Sequence, residues 1–172
     1  IYGNGGSMQK TFTKTQKLTF SAMYIAMYIV IMALTQSFAF GQYQIRIATT
    51  LYAIAYFNPF LFIPAGLANL MSNLFFGGLG IIDMLGGTLV GIITASLVYA
   101  VRKYNLPKWC LILPIIFIPG IVVPIYLSQL LAIPFLPLVV SLCIGQSVPA
   151  FVGYFLVQAL EKRFYKSALL KS

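Results

Sequence analysis

The sequence predicts an all-α membrane protein that crosses the bilayer six times. The chain is 60% hydrophobic and only 8% charged, whereas soluble domains carry about 25% charged residues. A run of twenty or so apolar residues reaches about 30 Å as an α-helix, the thickness of the hydrocarbon core. The apolar residues fall into six runs, some of them short, at 18–38, 43–57, 60–76, 82–101, 109–132 and 138–160.

We expect a single six-helix domain over residues 8–172. Residues 1–7 (IYGNGGS) resemble the remnant of an expression tag, because Met8 is a natural start. The first apolar run is too long for a cleavable signal sequence and lacks a cleavage site of small residues.

The distribution of positive charge predicts the orientation. Six spans place both termini on one side, and loops rich in Lys and Arg stay in the cytoplasm. Both termini are therefore expected to be cytoplasmic, and the charge pattern matches a membrane protein rather than a nucleic-acid binder. Ten of the eleven basic residues lie before the first run, after the fourth or after the last: Lys10, Lys14, Lys17, Arg102, Lys103, Lys108, Lys162, Arg163, Lys166 and Lys171.

Several kinds of chemistry are excluded by composition. The chain has no histidine and only two acidic residues, which argues against a zinc site and against paired-carboxylate catalysis. Asp83 and Glu161 fall on opposite sides of the membrane in this topology, so an intramembrane enzyme is disfavoured. We expect no metal and no cofactor. The sequence also lacks a G-x-x-x-x-G-K-[ST] loop, so any ATP hydrolysis would need a partner.

The region 41–87 concentrates the polar residues that lipid cannot explain. Arg46 and Asp83 lie outside the basic clusters, both toward the extracellular side. Intramembrane charges are costly and are functional-site candidates by default. We expect these two residues to form an ion pair or to border one ligand site. The alternatives are a purely structural ion pair and, for Asp83, a simple role at a helix N-terminus.

The third run carries a polar and small face. Gly66, Asn69, Asn73 and Gly77 recur every three or four residues, which places them on one side of a helix. Such a face lines either a helix interface or a cavity. The predicted ligand-contacting residues are Tyr43, Gln44, Arg46, Thr49, Thr50, Asn69, Asn73, Asp83, Gln129 and Gln146. Tyr52, Tyr56, Phe57 and Tyr126 are aromatic candidates, although core packing or a lipid-facing aromatic belt is the more common role of each such residue.

Two other runs have features of their own. In the first run, Ala22 and Ala26 are spaced as a small-xxx-small motif, which permits close approach of another helix. Internal packing would explain the same spacing. In the fifth run, Pro114, Pro119 and Pro124 predict a bent or broken helix.

Residues 44–92 resemble the signature region of the QueT-type substrate-specificity (S) subunits of energy-coupling factor (ECF) transporters. The matching pattern is an outer Q-x-R-I-A segment, an A-N pair in the third helix and a G-x-x-D-x-x-x-G start to the fourth. The corresponding residues are Gln44, Arg46, Ile47, Ala48, Ala68, Asn69, Gly80, Asp83 and Gly87.

The resemblance implies a function and partners. An S subunit of a bacterial plasma membrane binds a micronutrient from outside and docks on a coupling subunit with two ATPases. It then topples to release the ligand. Ala22 and Ala26 would be the docking motif. Thr49 stands where QueT-type sequences have an acidic residue, so cobalamin rivals a cationic queuosine precursor as ligand. Another B vitamin, or a membrane assembly role without ligand, is the alternative.

Overall fold

The computed structural model describes residues 12–39, 44–77 and 79–169, with side chains up to residue 163. The prediction of an all-α fold is confirmed: the regular elements of this part of the chain are all helical. They are α1 (Lys14–Leu34), the short α2 (Gln36–Ala39), a 3-10 helix (Ile47–Tyr56), a 3-10 turn (Pro59–Leu61), α3 (Phe62–Ser72), a π-helical turn (Asn73–Gly77), α4 (Ile81–Lys103), a 3-10 turn (Lys108–Leu111), α5 (Ile112–Leu131) and α6 (Phe135–Leu169).

Within residues 12–39, 44–77 and 79–169, five segments rather than six are long and apolar enough to cross a membrane. They are Lys14–Leu34, Pro59–Gly77, Ile81–Lys103, Lys108–Leu131 and Phe135–Arg163. The second apolar run instead forms the 3-10 helix Ile47–Tyr56, which we call the central helix. Its residues are nearly all buried, so protein rather than lipid surrounds it. The run is apolar because it is core, and it is too short to form a full α-helical span.

The other helices pack around the central helix. In chain order, α1 packs on α3, α3 on α4, α4 on α5 and α5 on α6, and the central helix contacts α1, α4 and α6. Ala48, Tyr52 and Ala53 of the central helix have no exposed surface. The central helix therefore connects helices that are far apart in the sequence.

Close approach between α3 and α4 depends on glycine. A Cβ atom added at Gly91 would lie 2.7 Å from the Ala65 carbonyl oxygen, and one at Gly66 would lie 3.0 Å from the Thr88 carbonyl oxygen. Backbone atoms of the two helices thus occupy the space that side chains would need. This is the packing typical of membrane helices, in which small residues allow van der Waals contact.

The prolines interrupt the helices less than the sequence indicates. Pro119 and Pro124 lie inside α5, which is one helix from Ile112 to Leu131. The helix is therefore not broken, and the alternative of a bend stays a prediction. Membrane helices tolerate internal proline when neighbouring groups satisfy the freed backbone atoms. Pro114 lies in the first turn of α5, where no intrahelical N–H bond is lost.

The two ends of the bundle differ in charge. At the end that carries the basic residues, Arg102 donates to the Phe57 carbonyl oxygen (3.4 Å), and its guanidinium lies over the Tyr56 and Phe57 rings. Lys108 and Glu161 form an ion pair at the same end. Arg46 begins the central helix and Asp83 lies in the first turn of α4, both at the opposite end.

Candidate functional site

The N-terminal half of the central helix is fastened to α6 by polar side chains. The Thr49 hydroxyl lies 2.7 Å from the Arg46 carbonyl oxygen and 2.9 Å from Gln146 Oε1, to which it is positioned to donate. Gln146 Nε2 in turn donates to the Gln44 carbonyl oxygen at 3.4 Å. Thr50 donates to the Pro149 carbonyl oxygen at 3.2 Å. These hydrogen bonds fix the start of the central helix, and with it Arg46.

Arg46 is connected to α3 through Asn69. Its Nη1 donates to Asn69 Oδ1 at 3.3 Å, and only 6% of Arg46 is exposed. Asn69 Nδ2 donates to the Tyr52 hydroxyl at 2.7 Å. The two atoms of the Asn69 amide thus have different partners, one a cation and one a phenol. A buried polar group needs such partners, because leaving one unpaired costs about 1–3 kcal/mol.

A second polar cluster joins α3, α4 and α5. Asn73 opens the π-helical turn, a feature frequent at functional sites, and its Nδ2 donates to the Asp83 carbonyl oxygen at 3.1 Å. The Tyr126 hydroxyl donates to Asp83 Oδ1 at 3.2 Å. Asp83 and Asn73 are each 2% exposed. Both residues therefore lie inside the bundle and do not face lipid.

Two acceptor atoms of this cluster have no hydrogen-bond partner among the described residues. They are Asp83 Oδ2 and Asn73 Oδ1, both fully buried. Buried polar atoms of proteins nearly always have a partner, and an unpaired buried charge is the costliest exception. The site therefore offers a negative charge and an amide oxygen to a hydrogen-bond donor.

Gly87 of α4 lets the two clusters meet. A Cβ atom there would lie 2.6 Å from Asn73 Nδ2 and 2.8 Å from Asn69 Oδ1. Any larger residue would displace one or both amides. Gly80, which begins α4, has a φ of 86°, a backbone conformation that favours glycine. The two glycines thus support the positions of Asn69, Asn73 and Asp83.

Six of the predicted residues come together at this end of the bundle. Arg46, Thr49, Gln146 and Asn69 form one hydrogen-bonded group, and Asn73 and Asp83 form the other. The predicted ion pair does not form: Arg46 donates to Asn69, and the Asp83 carboxylate accepts from Tyr126.

The remaining predicted residues have other surroundings. Gln129 is exposed on α5, so the structure does not bring it to the site, and Gln44 is half-buried and contributes its backbone carbonyl group. The Thr50 hydroxyl donates to the Pro149 carbonyl oxygen of α6. Tyr43 lies outside the described residues. Among the described residues no three potential His, Cys, Asp or Glu ligands cluster to hold a metal ion.

Two contributors were missed from the sequence. Tyr28 of α1 contacts Tyr52 with hydroxyl oxygens 3.2 Å apart, and neither side chain is exposed. The spacing of Tyr24, Tyr28 and Met32 marks the buried face of α1 and would have indicated Tyr28 as core. Gly87, noted only as part of a pattern, proves to contact both asparagines.

The alanine motif of α1 faces away from the core. Ala22 and Ala26 are exposed, whereas Tyr24, Tyr28 and Met32 are buried. Ala22 also lines a groove of about 470 Å³ between α1 and α3, whose walls include Ile25, Phe60 and Leu67. The internal-packing interpretation of the motif therefore does not apply within this chain.

The comparison with protein families agrees with the resemblance. A model of the QueT transporter family matches residues 18–162, which extend from α1 to the last turns of the fifth long apolar segment. Searches of curated proteins and of solved structures give no match. The predicted family is confirmed, and the five long apolar helices agree with a membrane transport protein. The chain therefore belongs to the QueT transporter family.

Proposed function

We propose that the chain is the substrate-binding subunit of an ECF transporter and that its ligand is a queuosine precursor with an aminomethyl group. The observation that carries the proposal is the Asp83 carboxylate, which is buried while its Oδ2 lacks a hydrogen-bond partner among the described residues. A protonated amine would neutralise this carboxylate, because a buried charge requires an opposite charge or donors. The family match supports a ligand of this class.

The neighbouring groups suit the rest of such a ligand. Asn73 Oδ1 is a second acceptor for amine or amide hydrogens. Arg46 supplies hydrogen-bond donors that match a ring carbonyl oxygen. Tyr126 adds an aromatic ring beside the carboxylate. A few convergent polar groups among apolar walls are typical of small-molecule sites.

Thr49 does not weigh against a cationic ligand in this arrangement. Its hydroxyl is occupied by Gln146 and the Arg46 carbonyl oxygen, so it fastens the central helix to α6. The acidic group that the sequence lacks at Thr49 is available from Asp83 instead. This favours the queuosine precursor over cobalamin, which is large and mostly neutral.

The test is ligand binding by the purified protein in detergent, measured by thermal shift and by calorimetry. The panel contains the aminomethyl and nitrile deazaguanine precursors, queuine, cobalamin, cobinamide and the common B vitamins. We expect the aminomethyl compound to raise the melting temperature most, because a ligand at 100 times its Kd stabilises the native state by about 2.7 kcal/mol. The uncharged nitrile compound is the matched control and should bind more weakly.

Two results would contradict the proposal. A shift with cobalamin and none with deazaguanines would mean that the ligand of this family member differs. No shift with any compound would favour the alternative of an assembly protein, in which the polar clusters serve packing alone.

We further propose that the basic end of the bundle is cytoplasmic and that α1 docks on the coupling subunit of a module with two ATPases. Charge asymmetry supports the orientation, and the exposed Ala22 and Ala26 beside a groove support the docking surface. In this arrangement the Asp83 end faces the outside, where the ligand enters.

A further inference from the structure

A chain of four hydrogen-bonded side chains runs from the site to α1. Arg46 Nη1 donates to Asn69 Oδ1 (3.3 Å), Asn69 Nδ2 donates to the Tyr52 hydroxyl (2.7 Å), and the Tyr52 and Tyr28 hydroxyl oxygens are 3.2 Å apart. The chain crosses α3, the central helix and α1. All four side chains are at least nine-tenths buried, so water has little access to replace one of these bonds.

The two tyrosines determine how the Asn69 amide is turned. Because Tyr52 accepts the Asn69 Nδ2–H, the amide oxygen is left to face Arg46. The Tyr52 hydroxyl can then give its own proton to Tyr28, whose ring stacks on it at 24° with centroids 5.9 Å apart. A rotated amide would place an N–H group against a guanidinium, where no acceptor remains. The position of Tyr28 therefore affects the orientation of the Asn69 amide through Tyr52.

Tyr28 belongs to the helix that carries the exposed alanines. It lies on the buried face of α1, while Ala22 and Ala26 lie on the outer face of the same helix. A partner that displaces α1 through its outer face would therefore also displace Tyr28. Conversely, a ligand that fixes Arg46 and Asn69 also fixes the partner of Tyr28.

We propose that Tyr28 and Tyr52 are positioning residues that couple occupancy of the ligand site to α1. The inference rests on the proposed function, because it needs a ligand at Arg46, which donates to Asn69. Coupling between two sites is reciprocal. Ligand binding steadies α1 for its partner, and displacement of α1 by that partner loosens Asn69 and lowers the affinity for the ligand.

The test compares Tyr28→Phe and Tyr52→Phe with Tyr24→Phe. Tyr24 is a matched control, since it is buried one turn away on α1 and its hydroxyl has no hydrogen-bond partner among the described residues. The probe is the aminomethyl deazaguanine, with Kd from calorimetry. Amide hydrogen exchange is followed in peptides of α1 and of the first turns of α4.

In the wild type and in Tyr24→Phe we expect the ligand to slow exchange in both α1 and α4. In Tyr28→Phe we expect a Kd about fivefold to tenfold higher, the loss expected for one hydrogen bond. Exchange should still slow in α4 but no longer in α1. Tyr52→Phe should have at least as large an effect, because it also removes the acceptor of Asn69.

The outcomes separate the two proposals. If the wild type binds the probe and α1 shows no change in exchange, the coupling is wrong while the proposed function stands. Wild-type affinity and wild-type α1 protection in Tyr28→Phe would overturn the coupling as well. If the wild type binds no member of the panel, both proposals fail together. Melting temperatures of the three unliganded variants establish that each is folded.

Discussion

At the scale of single residues, the main feature of the site is that the Asp83 carboxylate accepts few hydrogen bonds. One carboxylate oxygen accepts from Tyr126, and the other has no hydrogen-bond partner among the described residues. Such a group destabilises the unliganded protein and favours a cationic ligand, because the same charge is costly alone and favourable when paired. We therefore expect the Asp83 charge to lower the stability of the unliganded protein and to raise its affinity for the proposed ligand.

Asp83→Asn should weaken binding of the aminomethyl deazaguanine about 10-fold to 100-fold, since a hydrogen bond to a charged group contributes about 1.5–3 kcal/mol. The melting temperature of the unliganded variant should stay the same or rise, because the change removes the charge of a buried group whose Oδ2 has no hydrogen-bond partner in the described part of the chain. Calorimetry and thermal shift measure the two effects. Glu161→Gln, at the basic end of the bundle, is the control and should bind normally. Equal affinity of Asp83→Asn and wild type would exclude Asp83 as the partner of the amine.

Gly87→Ala should lower ligand affinity about tenfold without removing any polar group. The new methyl group would lie 2.6 Å from Asn73 Nδ2 and 2.8 Å from Asn69 Oδ1, so the two amides must shift, and misplacement of binding groups is costly. Thr88→Ala is the control, because the Thr88 hydroxyl donates to the Met84 carbonyl oxygen of its own helix. Unchanged affinity in Gly87→Ala would mean that the ligand does not depend on these amides.

At the scale of elements, the central helix differs most from expectation. A ten-residue 3-10 helix has poorer hydrogen-bond geometry than an α-helix and is uncommon at this length. It persists here because α1, α4 and α6 surround it and the Thr49, Thr50 and Gln146 side chains fasten it. The sequence predicted a membrane span here, and the structure has a buried ten-residue 3-10 helix that is shorter than the five long apolar segments.

The α3–α4 contact makes the clearest prediction about an element. Gly91→Ala would place a methyl group 2.7 Å from the Ala65 carbonyl oxygen, and backbone cannot move aside as a side chain can. The helices must separate, which should destabilise the protein by about 1–3 kcal/mol, as overpacking does. Thermal denaturation in detergent measures the loss. Leu97→Ala, a lipid-facing position of the same helix, should change the melting temperature much less, and similar losses in both would refute the close contact.

At the scale of the whole molecule, the proposed binding site and the proposed docking surface are separate. The polar clusters are buried between helices, and the alanines face outward on α1. Ala22→Trp together with Ala26→Trp should therefore leave the Kd for the ligand unchanged and abolish uptake into cells or proteoliposomes that contain the complete transporter. Met27→Trp is the control, because Met27 is 47% exposed and points about 100° or more around the helix axis from both alanines. Normal uptake by the double variant would show that these alanines are not the docking motif.

The sequence identified polar residues that the structure buries at one end of the bundle, and their role in ligand binding stays a prediction. A charge or an amide in an apolar run is conspicuous, and Arg46, Asn69, Asn73 and Asp83 all proved to be buried at one end. The partners were not predictable. Arg46 and Asn69 are 23 positions apart, and Thr49 and Gln146 are 97 apart. Helical periodicity says which residues share a face, but it does not say which faces meet.

The amino-acid sequence alone was enough to predict that this protein lies in a membrane and to which family it belongs. Hydropathy and charge can be read from the residue types alone. About twenty consecutive apolar residues suffice to cross a bilayer, and Lys and Arg concentrate in the cytoplasmic loops. The tertiary structure decided that the second run is a core helix, that Arg46 binds Asn69 rather than Asp83, and that Tyr28 contacts Tyr52. Each of these depends on which helices are neighbours, and that is set by packing of the whole chain around the central helix.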